Sequence, residues 1–330
     1  MSTAILSTIQ SQLNFYTYTI VMAAGNIGNI FVLILFTRQR QNACSIYLIS
    51  STIVNSIYLT FTSFIQLSPF DYTDGTTRAF ILCKLRSYLA GVLGLTTKTL
   101  IVLACIDRFM ITNRRANLRA FSTPKRAKYF VCFFCIFWPI FGCHAAVMTT
   151  IINRQCGQFG IYSIIYTIYV AIFVGFIPPI TSGTLGYLTY KSLRQRRNRI
   201  EPVAHHGNNA NAPIRRRDRE LLIMVMSEVF VYIITSLPYP FILLEMMISR
   251  NVVLNKSIQY TQIELFIFGI ALLLVYMNAA APFYIYIISS KGFRREFKQL
   301  IMNFYRKQRG QPTLQRTTQH TLTQNGTHVQ

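Results

Sequence analysis

Long apolar blocks alternate along the chain with short polar connections. The blocks fall near residues 17 to 37, 45 to 67, 81 to 111, 127 to 150, 161 to 190, 219 to 249 and 259 to 288. Wound as helix at about 1.5 Å per residue, each is long enough to cross a hydrocarbon layer ~30 Å thick. A helix closes its backbone hydrogen bonds within one segment, as a layer without water demands. The pattern therefore predicts an all-α fold, a seven-transmembrane helix bundle. A different period follows: between Lys291 and Tyr305, Phe293, Phe297, Leu300, Ile301 and Phe304 are set against Arg294, Arg295 and Lys298. That spacing suits a short amphipathic eighth helix lying on the bilayer surface.

The same pattern divides the chain. Residues 1–16 are expected as an extracellular N-terminal tail, 17–290 as the seven-transmembrane bundle, 291–305 as amphipathic helix eight and 306–330 as a disordered cytoplasmic tail. The tail is rich in Thr and Gln and lacks apolar periodicity, as is the Arg-, Asn- and His-rich stretch 194–217, read as a flexible cytoplasmic loop. The N-terminal residues carry no basic segment ahead of a short apolar core, so no cleaved signal peptide is expected.

Composition sharpens this picture. With 52% hydrophobic and 13% charged residues, the chain does not have the makeup of an ordinary soluble domain. The formal charge of +23 sits in short runs between apolar blocks rather than on amphipathic helices, which argues against nucleic acid as a partner and for the lipid bilayer. When alternate connections are assigned to opposite sides, 26 of the 33 Lys and Arg residues collect on one side. The positive-inside rule makes that side cytoplasmic, with the N-terminus outside and the C-terminus inside the plasma membrane. Of seven cysteines, Cys83 and Cys156 fall in polar connections and the rest in apolar spans. No span clusters His with acidic residues, so neither an enzyme, a metal nor a cofactor is expected.

The third block begins at Cys83 and closes on Asp107-Arg108. A rim arginine alone has a plain explanation, because it snorkels readily into the interface. Other spacings add to it: Trp138-Pro139 in the fourth block, Pro179 with Tyr187 eight residues later, Asp218 twenty residues before Pro238, Pro282 near the end of the seventh, and FRREF beyond it. Over residues 20 to 304 this set resembles the rhodopsin-like (class A) G-protein-coupled receptors, most of all peptide-type receptors of invertebrates. The resemblance implies a Cys83–Cys156 disulfide. It also implies an arginine, Arg108, held at rest by Asp107 and Asp218 and freed when the sixth span swings out to admit a heterotrimeric G protein. Tyr187, Pro238, Pro282 and Tyr286 would belong to the same activation switch, and arrestin would read phosphorylated threonines of the tail. Three positions depart from the family pattern: Asn55 replaces a buried aspartate, Ser236 a tryptophan and Ala281 the asparagine before Pro282. The tyrosine of that last motif aligns with either Ile285 or Tyr286.

The resemblance also bears on the ligand. Ala90 stands where amine receptors carry an aspartate, and Val275 where opsins carry a lysine, so a neuropeptide is favoured by elimination. Arg86, Ala90, Gly94, Glu245 and Glu264 are expected at its site. A buried polar set is expected from Asn29, Asn55, Thr97, Lys98, Glu228 and Asn278. Lys98 lies ten residues outward of Arg108, and Glu228 ten outward of Asp218, so both stand about 15 Å deeper at a shared level. An ion pair between them is expected, since an unpaired charge there costs at least ~2.5 kcal/mol. A different class, a seven-helix transporter or channel using Lys98 and Glu228, would need an inverted repeat or paired broken helices, and neither is visible.

Overall fold

The structure, a computed structural model, describes residues 2–37, 42–67, 77–113, 115–152, 155–200, 212–252 and 256–309. Helices α1 (Ser2–Thr37), α2 (Ala43–Leu67) and α3 (Thr77–Thr112) form the first three spans. A short α4 (Ala116–Phe121) precedes the fourth span, built from α5 (Pro124–Phe141) and α6 (Cys143–Met148). A hairpin of β1 (Thr150–Ile152) and β2 (Gln155–Gly157) leads to the fifth, which joins α7 (Ile161–Val170), a π-helical turn (Ala171–Phe176) and α8 (Ile177–Ile200). The sixth combines α9 (Ala212–Ser236) with α10 (Pro238–Val252), and the seventh α11 (Ile258–Ala280) with α12 (Pro282–Ser289). Last comes α13 (Lys291–Gln308). Among the described residues seven helical stretches are long and apolar enough to cross a membrane, as the sequence pattern requires.

The boundaries differ in instructive ways. The stretch expected as an N-terminal tail is helical from Ser2, because no glycine or proline interrupts the chain before Gly25, while the membrane-length apolar part begins at Phe15. Helices α8 and α9 reach into the stretch expected as a loop at 194–217, of which 201–211 lie outside the described residues. Helix α13 outruns its expected end at Tyr305 by one turn. Ser290 caps it, accepting from the Phe293 amide at 3.2 Å, and the buried Phe293 ring packs on Phe36 and Tyr286. The residues of the Thr-rich tail beyond 309 lie outside the described ones.

Prolines divide the spans where their missing amides stop the ladder. Helix α9 ends at Ser236 ahead of Pro238, and α11 at Ala280 ahead of Pro282. In the fifth span Pro178 offers no amide to the Val174 carbonyl four residues back, and the Tyr232 hydroxyl of α9 donates to that carbonyl instead, at 2.7 Å. A span-to-span bond thus replaces the lost one.

Close packing is made by small residues. A Cβ placed on Gly25 of α1 would meet Ala280 Cβ at 2.6 Å and a Leu59 methyl at 2.7 Å, so α1 lies against α2 and α11 only because Gly25 has no side chain. Trp138 is buried against Val92 and Leu95 of α3, and its indole N–H donates to Thr99 at 2.9 Å. Cys83 and Cys156 are joined, with 5.7 Å between their Cα atoms, so the hairpin is stapled to the start of α3 as the resemblance implied. Surface expression with both thiols resistant to alkylation until reduction is the measurement expected to report this bond. For the α1 seam, Gly25→Val is expected to lower the stability of the purified chain by about 1–3 kcal/mol through overpacking, whereas Gly91→Ala, with nothing within 4 Å, leaves the thermal midpoint unchanged.

Candidate functional site

A cavity of about 360 Å³ opens among α2, α3, β2, α7, α10 and α11. Its wall at the disulfide end includes Arg86 and Arg250, its middle the aromatic rings of Tyr58, Tyr166, Tyr239 and Tyr276, and its deepest part Asn55, Thr97, Lys98 and Ser236. Arg86, Ala90 and Gly94, all expected at the ligand site, face this space from successive turns of α3. Glu245 and Glu264 do not line it. Glu264 instead accepts from Lys256 at 2.8 Å through both oxygens and from the Ser249 hydroxyl, and Glu245 accepts from Tyr260 at 2.6 Å. Lys256 and Tyr260 draw the two acids into a brace between α10 and α11. Among the described lining residues no acid remains.

Beneath the cavity lies the polar set. Lys98 is 6% exposed and Glu228 2% exposed, yet they do not form the expected ion pair. The Lys98 ammonium donates to the Asn278 side-chain carbonyl of α11 and stands 4.2 Å from the centre of the Tyr232 ring on α9. Glu228 accepts from the Tyr286 hydroxyl of α12. Ten residues turn each helix by roughly 80° away from the Arg108 and Asp218 faces, and each charge meets a polar group on the seventh span instead, Lys98 at Asn278 and Glu228 at Tyr286. Asn29 donates to the Ala279 carbonyl at 3.5 Å, joining α1 to α11. The Thr97 and Ser236 hydroxyls and the Asn278 amide nitrogen are buried without a hydrogen-bonding partner.

At the opposite end of α3, Asp107 and Arg108 are each 1% exposed and paired at 2.6 Å. Arg108 also donates to the side-chain carbonyl of Asn42, just before α2, at 2.8 Å, and Asp107 accepts from the Ser122 hydroxyl after α4. The pair thereby ties the end of α3 to the residue before α2 and to the connection after α4. Asp218 lies in the first turns of α9, but its side chain is outside the described ones. Tyr286 and Ile285 both lie in the core, at 1% and 9% exposure, and of the two it is Tyr286 whose hydroxyl reaches Glu228. Tyr187, by contrast, is 65% exposed on the outside of α8. Sequence reading did not single out Tyr232, although it follows Glu228 by four residues and so shares its helix face. Asn42 and Ser122 sit in polar connections with no distinguishing pattern.

A cavity at one end of a seven-helix membrane bundle, joined by α3 to a buried acid–arginine pair at the other, defines a membrane receptor. The model of the family described as the seven-transmembrane receptor (rhodopsin family) matches residues 26–286, and the chain belongs to that family of multi-pass signalling receptors, which are not enzymes. A search of curated protein sequences returns no match.

Removing the Tyr286 hydroxyl leaves a buried carboxylate without its donor, so Tyr286→Phe is expected to cost about 1–3 kcal/mol of stability. Glu228→Leu in the same chain is expected to recover part of that loss, read as non-additive thermal midpoints of the purified single and double variants. The swap of Lys98→Glu with Glu228→Lys, in contrast, is expected to damage surface expression additively.

Proposed function

We propose that the chain is a plasma-membrane receptor, N-terminus outside and C-terminus in the cytoplasm, that converts binding of an extracellular neuropeptide into activation of a heterotrimeric G protein. The observation that carries this reading is the placement of the cavity and the Asp107–Arg108 pair at the two ends of one helix, α3, the first end stapled by Cys83–Cys156. The cavity volume, about 360 Å³, suits a small ligand or one end of a peptide rather than a whole peptide. The collection of 26 of 33 basic residues on one side supports the orientation. Outward movement of the sixth span would separate Asp218 from Arg108 and open a cleft toward the G protein. The threonines of the tail, Thr313, Thr317, Thr318, Thr321 and Thr323, would recruit arrestin once phosphorylated.

Asp218→Ala removes a counter-charge of the resting state. Basal G-protein activation in cells is expected to rise roughly fivefold or more at matched surface expression. A basal signal equal to that of the unaltered chain rejects the role given to Asp218. An N-terminal epitope stained in unpermeabilised cells checks the orientation.

A further inference from the structure

The deepest part of the cavity is built from polar groups around a cation, and no acid is among its described lining residues. Lys98 has three ammonium protons. One goes to Asn278 and one side of the group lies over the Tyr232 ring, which leaves at least one proton uncommitted. Thr97, 2% exposed, and Ser236, 3% exposed, line the same space with hydroxyls that have no partner. Asn55 faces them from α2 and is also 2% exposed. Keeping a cation and idle hydroxyls in a membrane interior is costly unless something else completes their bonding. Glu228 is engaged by Tyr286 and does not line the cavity. At the wide end stand two more cations. Arg250 is exposed, and Arg86 uses one donor on the Gln66 side-chain carbonyl at 3.0 Å. A guanidinium has five.

We infer that this cavity selects ligands by a carboxylate, which it seats on Lys98 with the hydroxyls of Thr97 and Ser236. The inference rests on the receptor reading given above and names the chemistry of its ligand: a peptide that inserts a free, unamidated C-terminus. Arg86 and Arg250 do not bind the same carboxylate. Arg86 is twelve residues from Lys98 on α3, about 18 Å along the axis, so the arginines act as an electrostatic funnel at the mouth. The tyrosine rings between the two levels pack the ligand's apolar side chains. Among the described lining residues a ligand that presents an ammonium meets three positive groups and no acid, and is disfavoured.

The test is a thermal-shift titration of the full chain purified in detergent. The probes are short aromatic peptides, each as the C-terminal free acid and as the C-terminal amide, beside small aliphatic and aromatic monocarboxylic acids and their primary amides. Charge-assisted hydrogen bonds at the buried end are expected to make acids bind roughly ten- to a hundredfold more tightly than the matching amides. Lys98→Gln is expected to abolish that preference, whereas Arg250→Gln weakens the acids while keeping it. Preference among peptide acids with none among the small acids assigns the carboxylate to a peptide terminus, and the reverse assigns it to a small organic acid and overturns the peptide part. Equal binding of acids and amides, no shift with any acid, or a preference that survives Lys98→Gln overturns the inference. If Lys98→Gln does not purify, the comparison of acid with amide on the unaltered chain decides alone. Because the thermal midpoint needs no G protein, a chain that binds acids without signalling contradicts the receptor reading instead, and one that signals on amides contradicts only the carboxylate.

Discussion

Within a hydrocarbon layer no water is at hand to satisfy a polar group, so each one must find a partner inside the bundle or bear the cost of having none. That constraint organises this molecule. Threonines turn their hydroxyls onto the carbonyl one turn back, as Thr52 does to Leu48 at 2.7 Å and Thr96 and Thr235 do to Val92 and Val231 at 2.8 Å. These bonds stay within one helix. The groups that cannot close locally become ties between helices: Trp138 to Thr99, Tyr232 to the carbonyl left open by Pro178, Asn29 to the seventh span. Even the two buried charges follow the rule. Each is met by a neutral group on the seventh span, which makes that span the common partner of α3 and α9.

Helix α3 is the axis through which these ties communicate. One end is covalently fixed by Cys83, its middle carries Thr97, Lys98 and Thr99, and its other end holds the Asp107–Arg108 pair against the start of α2 and the connection after α4. A change at the cavity therefore acts on a rod already bonded along its length to spans two, four, six and seven. Local rearrangements at the kinks of the sixth and seventh spans, where prolines have removed backbone bonds, are the less costly response.

Much of this was legible beforehand because the signals are local in sequence. Twenty or so apolar residues read as a span, a cysteine in a polar connection stands out, and proline marks its own interruption. The failures share a cause. The ion pair expected between Lys98 and Glu228 was reasoned from depth, which residue counting gives, whereas contact also depends on the azimuth of each side chain and on the tilt of its helix. Glu245 and Glu264 were assigned to the ligand site by their level in the membrane, yet Lys256 and Tyr260, close in sequence, hold them elsewhere. The helical start of the chain was missed because polar composition argues against membrane insertion but not against helix. Tyr286 was ambiguous by alignment and became distinct only as the residue whose hydroxyl meets Glu228.

The π-helical turn at Ala171–Phe176 has a bearing on how this chain tolerates changes in length. A turn closed by i→i+5 bonds holds one residue more than the α pattern needs, so it reads as an insertion that the fifth span has absorbed. Losing one residue there would let the turn relax to α while Thr167 and Val170 before it, and Ser182 and Thr189 after it, kept their inward faces. A deletion elsewhere in a regular span would instead rotate everything downstream by about 100° and carry buried residues out to the lipid. In this span, chain length and side-chain direction are inherited separately.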